Sequence, residues 1–290
     1  MSRTLRARDR GLAWLLALLL LLPVPVCLAA WSLTPGVVAD MLVEAHMRAA
    51  LARFAGVPHG GVTAVALSMS TNQCALRGPG PLDSGQVEVL PLYFPSAGFD
   101  DFVGLVPDIV RARPDMVLIE AGLLFRRYDL GDSLRLFRMN LVQEARSLVQ
   151  GRGTVLDRYV AISGPCCPAG KPLRQQGPAA EGALPDDWTM TPEFGRLKAG
   201  IEAFASAGIR VAVVSTPMIA ERHEIAVQRA GAAMAVLAAE VPGADIAFLA
   251  VPEAYPDTDF CDPLHVGAPG QARFSRWLDG QLVDLTRPGT

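Results

Sequence analysis

Charge is scarce in this 290-residue chain, where 19% of residues are charged and 51% are apolar. So little charge excludes intrinsic disorder, which needs low hydrophobicity and high net charge, and a solenoid of charged helices. A surplus of basic residues is missing as well. The formal net charge is −3, and Arg3, Arg6, Arg8 and Arg10 against Asp9 place +3 in the first ten residues; subtracting that leaves −6 on the remaining 280. That sign is the opposite of what phosphate backbones attract, so no nucleic-acid partner is expected. The chain has no H-E-x-x-H, no G-x-x-x-x-G-K-[ST] and no C-x-x-C, so neither a metal nor a nucleotide cofactor is expected. There is no internal repeat, and the length suits one sizeable core with an appendage.

What the chain does have is one long uncharged run. Gly11 to Trp31 carries no charged residue, and Leu12 to Leu22 is almost wholly Leu, Ala and Trp; ~20 such residues span one bilayer as a helix. Four arginines precede the run, and Asp40 and Glu44 follow it. The positive-inside rule then leaves the N-terminus in the cytoplasm and everything after Trp31 outside. The expected organisation is a basic cytoplasmic tail at 1–10, a transmembrane signal anchor at 11–31, a juxtamembrane helix at 32–60 and a folded domain at 61–290. The expectation is a single-pass protein of the cell inner membrane, its domain facing the periplasm or cell exterior. A cleaved signal peptide is the competing reading, resting on Cys27-Leu28-Ala29 as a small-residue cleavage site. In an oxidising compartment Cys74, Cys166, Cys167 and Cys261 are candidates for disulfides, with three pairings open.

Within the domain, strand-length apolar runs occur at Thr63–Leu67, Val87–Leu90, Met116–Ile119, Val211–Val214 and Ile246–Ala250. Helical spacing occupies Asp101–Ala112, Ser133–Val149, Pro192–Ala207, Ile219–Glu240 and Ala268–Leu285. Apolar strands alternating with amphipathic helices predict an α/β fold, a three-layer α/β/α arrangement around a five-stranded parallel sheet. Residues 151–187, rich in Gly and Pro, break the rhythm and read as a loop insertion, either a surface excursion or a substrate-binding lid.

Ligands of open parallel sheets bind beyond the carboxyl ends of the strands. After the first run comes Ser68-Met69-Ser70, and after the last Asp262-Pro263-Leu264-His265. An Asp three residues before a His can hold one ring nitrogen by its carboxylate while the other faces a serine nucleophile. Capping and turn formation are the bland roles for the same residues. Glu120, ending the third run, is either a functional carboxylate or a partner of Arg126 or Arg127, and His223 is expected on a solvated helix face.

Taken together, these motifs resemble the SGNH/GDSL hydrolase superfamily over roughly Val62 to Leu285. They are also similar to its divergent membrane-anchored branch, which includes cell-envelope polysaccharide O-acetylation proteins and teichoic acid D-alanyl transfer proteins. The resemblance implies a catalytic triad of Ser70, Asp262 and His265, with backbone N–H groups of Ser70 and Gly98 as the oxyanion hole. Ser68 stands where the family has glycine. Gly122 is kept from the third block, but Leu124 occupies the place of its asparagine. The implied activity is that of a serine esterase or O-acyltransferase on an acylated glycan or other ester, with a membrane-bound acyl-donor protein as possible partner. The alternative is a non-catalytic envelope scaffold that binds polysaccharide in the same cleft.

The arginine asymmetry predicts that a C-terminal reporter functional only outside the cytosol is active when fused to the full chain. Activity of a cytosol-only reporter at the same position would remove the compartment reading and the disulfide reading together.

Overall fold

A strand covered on both faces must be apolar at every position, whereas a half-buried strand alternates. The first and third apolar runs follow the former rule, and they lie side by side in the middle of the sheet. The structure, a computed structural model, describes residues 44–69, 75–76, 80–94, 98–125, 184–185, 187–262 and 264–287. The chain divides into two units, Met1–Glu44 with Tyr128–Ile162, and Ala45–Arg127 with Ser163–Thr290. The expected tail, anchor and Ser133–Val149 helix, and nearly all of the insertion, lie outside the described residues; no described helix is long and apolar enough to cross a membrane.

Six strands form one mixed sheet among the described residues: β1 Val62–Ser68, β2 Gly80–Pro81, β3 Val87–Tyr93, β4 Met116–Glu120, β5 Arg210–Val214 and β6 Ile246–Leu249. Their order is β2-β3-β1-β4-β5-β6. The five longer strands run parallel, and β2 pairs antiparallel with Glu88 and Val89 at the edge. The expected sheet of five parallel strands is thus corrected by a sixth, antiparallel one. Gly80 and Pro81 carry no apolar signal; so short a strand is held by its partner, not by its own composition. The strand β3 also runs through Pro91 to Tyr93. Proline has no N–H for a ladder, and β2 reaches only Glu88 and Val89, so Pro91 sits past the paired stretch of that edge.

The helices are α1 at 44–55, α2 Val106–Ala112, α3 Pro192–Ser206, α4 Ala220–Glu240 and α5 Ala268–Thr286. The start of α3 is fixed by Thr191, whose hydroxyl accepts the Phe194 N–H at 3.2 Å, with proline in the first turn. The expected helix over 101–112 is two elements, a 3-10 helix Phe99–Leu105 running into α2, with Pro107 in the first turn of α2. Phe274, Leu278 and Leu282 fall four residues apart on one stripe of α5. They pack with Ala64, Ala66, Met116, Leu118, Ala212 and Val214 of the sheet. The alternate residues Val65, Leu67, Val117, Ile119, Val211 and Val213 are also buried, and point to the opposite face. Truncating a core phenylalanine such as Phe274 typically costs about 3–5 kcal/mol.

Between α1 and β1, His59 ties the helix to the sheet. Its Nδ1 is 2.5 Å from Glu88 Oε2 and its Nε2 2.8 Å from the Phe54 carbonyl oxygen. Both neighbours are acceptors, so the doubly protonated ring satisfies both. The Glu88 hydrogen bond, followed by that to Phe54, outweighs burial and raises the His59 pKa above the ordinary imidazole value. A raised folded pKa adds stability that is complete below the ~6.5 of an unfolded chain and is lost as pH rises through the folded value. Urea unfolding of the wild type and His59→Gln should therefore differ most on the acid side of neutrality and converge on the alkaline side. A difference that does not change with pH would remove this account.

Candidate functional site

With both faces of the sheet covered by apolar packing, polar side chains collect at its carboxyl edge. At the end of β1, Ser68 is 1% exposed and its hydroxyl donates to the Leu92 carbonyl of β3 at 3.3 Å. Its own carbonyl accepts the Phe94 N–H at 3.3 Å. Ser68 is therefore turned into the sheet and stitches two strand ends together. Ser70, the expected nucleophile, lies outside the described residues.

The loop after β6 is the best-defined part of this edge. Phe260 and Val266 form an antiparallel bridge, the Cys261 N–H donates to the His265 carbonyl at 2.9 Å, and the Gly267 N–H to that of Asp259 at 2.7 Å. Inside this closed turn, Asp262 Oδ1 accepts the N–H groups of Leu264 at 2.8 Å and His265 at 2.9 Å. Its Oδ2 lies 2.7 Å from His265 Nδ1. Burial alone would push the Asp262 carboxyl up. The Leu264 N–H, the His265 ring and the His265 N–H together overcome it and hold the group below its ordinary value. With Nδ1–H donated to the carboxylate, Nε2 of the neutral ring is the nitrogen that can accept a proton. Cys261 is disulfide-bonded; the four other cysteines fall outside the described residues.

Neighbouring groups hold the loop from behind. Asp259, 5% exposed, forms an ion pair with Arg273 of α5 at 2.9 Å, at an angle that is not that of a hydrogen bond. The Arg273 guanidinium stands 5.3 Å over the ring of Tyr255, whose hydroxyl burial pushes up to about 12. Gly270 has to be glycine, because a Cβ there would lie 2.6 Å from the Asp259 carbonyl oxygen. The segment leaving β1 meets the same helix end, where the Gln271 side chain donates to the Leu76 carbonyl at 3.3 Å. Leu76 and the loop carrying Asp262 and His265 thus both adjoin the first turns of α5.

The expected oxyanion donors stand differently. The Gly98 N–H donates to Asp101 Oδ2 at 2.9 Å, at the start of the 3-10 helix. Leu124 is 5% exposed, and its carbonyl accepts the Trp188 ring N–H at 3.2 Å. It is a core residue, not a polar donor. Glu120 is 1% exposed; its Oε2 accepts the Met69 N–H at 2.6 Å and its Oε1 the Thr216 hydroxyl at 3.2 Å. Arg126 and Arg127 lie outside the described residues, and the roles of Met69 and Thr216 had no signal in the sequence. The role of Asp101 had one, since an acid three residues after a helix-initiating glycine is the spacing of a capping box. His223 departs from its expected solvated face: its Nδ1 is buried with no hydrogen-bond partner among the described residues. Among those residues no group of three His, Cys, Asp or Glu side chains gathers to hold a metal ion.

No family model and no curated protein matches the chain. Similar solved structures include two from Bacteroides. One is a GDSL-like lipase from Bacteroides thetaiotaomicron, 14% identical, with 81% of this chain and 95% of that chain covered and a TM-score of 0.39. The other is a Bacteroides fragilis protein assigned as an acylhydrolase, 11% identical, with 79% and 90% covered and a TM-score of 0.38.

A carboxyl held below its unfolded value of ~3.9 adds stability above that value and loses it as pH falls through the folded one. Asp262→Asn should therefore be less stable than the wild type near neutrality, and the gap should close in acid below the unfolded value. Denaturant unfolding of both proteins across that range checks the sign; a gap that widens in acid would contradict it.

Proposed function

We propose that the chain is a serine esterase or O-acyltransferase in which Ser70 attacks an ester carbonyl, His265 acts as general base and then acid, and Asp262 orients it. The observation that carries this reading is the Asp262–His265 pair. One carboxylate oxygen is fixed by two backbone N–H groups while the other takes the ring Nδ1–H, which is how a triad acid sets the tautomer of its histidine. A carboxylate that merely capped a turn would need only the first of these.

In the proposed mechanism the Ser70 hydroxyl proton passes to His265 Nε2 as the Oγ–C bond forms. The oxyanion is received by the backbone N–H groups of Ser70 and Gly98. Collapse of the tetrahedral adduct expels the alcohol, which takes the proton from His265, and leaves an acyl-serine. Water or a sugar hydroxyl then accepts the acyl group. We place the domain in the three-layer SGNH hydrolase-like arrangement, exported and anchored in the inner membrane. Its proposed substrate is an acyl ester of a cell-envelope glycan, and its proposed partner a membrane-bound acyl-donor protein.

A second reading has its own support. The Gly98 N–H is engaged by Asp101, and Leu124 offers no donor from its side chain. Loss of one oxyanion donor costs about 2.7–4 kcal/mol of transition-state stabilisation. A site with two such deficits suits a non-catalytic scaffold that binds polysaccharide in the cleft.

Two measurements separate the readings. Treatment of the full chain with a serine-directed phosphonate should label the wild type and Ser68→Ala but not Ser70→Ala; equal labelling of both variants would sink the assignment of Ser70. Asp262→Asn and His265→Gln should lose ester turnover, by ~10⁴ for the Asp as in a serine protease triad, while retaining polysaccharide binding. No turnover by the wild type on any ester, with binding intact, would establish the scaffold.

A further inference from the structure

One carboxyl group joins the ends of three strands. Glu120 closes β4 and is 1% exposed, and its two oxygens accept from the exits of β1 and β5, through the Met69 N–H at 2.6 Å and the Thr216 hydroxyl at 3.2 Å. Met69 directly precedes Ser70 in the chain. The side chain of Met69 is held from the same strand end: a Cβ on Gly122 would fall 2.3 Å from Met69 Cε. Glu120 therefore grips Met69 by its backbone, and the bare backbone of Gly122 receives its side chain. A carboxyl group taken almost wholly out of water is costly unless its oxygens are used, and core packing alone would be served by an apolar residue.

We propose that Glu120 is the positioning residue of the nucleophile, fixing the Met69 peptide to which Ser70 is joined. This rests on Ser70 being the nucleophile. Glutamine is the informative substitute. Its carbonyl accepts the Met69 N–H while its amide donates to Thr216, whose hydroxyl reverses from donor to acceptor; geometry is kept and charge is not. Alanine leaves the Met69 N–H without this acceptor. Displacing a reacting group by ~1 Å costs on the order of 100-fold in rate.

The test measures the rate of phosphonate labelling, and kcat and KM on an activated acetyl ester, for the full chain. Folding of each variant is followed by near-UV circular dichroism. Folded Glu120→Ala should label ~100-fold more slowly, with the loss in kcat and KM nearly unchanged, and Glu120→Gln should recover most of the rate. Glu120→Asp, which keeps the charge but draws the carboxyl back from the Met69 N–H by one methylene, should slow labelling as well and serves if the alanine variant does not fold. Wild-type rates in folded Glu120→Ala or Glu120→Asp, or a Glu120→Gln variant as slow as the alanine, would overturn the inference. A wild type that neither labels nor turns over is a different failure, which removes the reading of Ser70 and this inference with it.

Discussion

Burial of the sheet on both faces is the constraint from which the rest follows. Once Ala64, Ala66, Met116 and Leu118 are committed to α5, and Val65, Leu67, Val117 and Ile119 to the opposite side, the two central strands have no room for a polar side chain between Thr63 near the start of β1 and the last residue of each. Ser68 and Glu120 occupy those last places, and Ser215 and Thr216 follow β5 directly. Each is buried and hydrogen-bonded: Ser68 to β3, Ser215 to the Val251 N–H at 2.7 Å, and Thr216 to Glu120. The strand ends are thus linked sideways by side chains where the backbone ladders stop. A polar edge built this way is rigid because each buried group would lose its partner if one strand end moved.

The same economy explains the loop that holds His265. Phe260 and Val266 pin the loop to the core, and between those two residues its shape comes from hydrogen bonds and covalent closure. The Phe260–Val266 bridge closes it, Asp262 fills it, and Gly270 lets it settle against α5 at backbone distance. Asp259 with Arg273 anchors its base; the carboxylate is buried and the guanidinium half-exposed, so removing Arg273 would leave a buried charge uncompensated. The Cys261 disulfide adds a covalent restraint four residues from the histidine. Orientation of an imidazole to within a hydrogen bond's tolerance needs this much support, because Asp262 and His265 are themselves partly exposed, at 45% and 25% of their side-chain surface.

How much of this was legible follows from what each signal depends on. The five long strands fall within one to three residues of their apolar runs, because two-sided burial writes itself directly into composition. Helix boundaries at Pro192, Ala220 and Ala268 were equally readable from period and flanking proline or glycine. The end of β3 was not, since Pro91 reads as a stop wherever the state of the sheet edge is unknown. The antiparallel β2 was invisible because two residues have no periodicity. At the site, D-x-x-H spacing alone indicated the Asp262–His265 contact, which is local and needs no tertiary information. The partners of Glu120 were beyond reach: Met69 lies 51 residues away and Thr216 96, and which strand ends meet is decided by sheet order.

The proposed oxyanion donor Gly98 shows where local and tertiary demands compete. Gly98 follows β3, and the 3-10 helix that begins there needs its first N–H groups satisfied, for which Asp101 supplies an acceptor. An ionised carboxylate on that N–H is a stronger partner than a neutral ester carbonyl, so a ground-state substrate gains little by displacing it. An oxyanion is the one ligand group that matches the carboxylate in charge. It competes on equal terms only as the tetrahedral adduct forms, so exchange at Gly98 would favour the transition state over the bound ester, which is the differential that catalysis requires. The cost is that Asp101 must then rotate to water or to another donor. Asp101 is exposed at the helix start, so water can reach its carboxylate as it turns away.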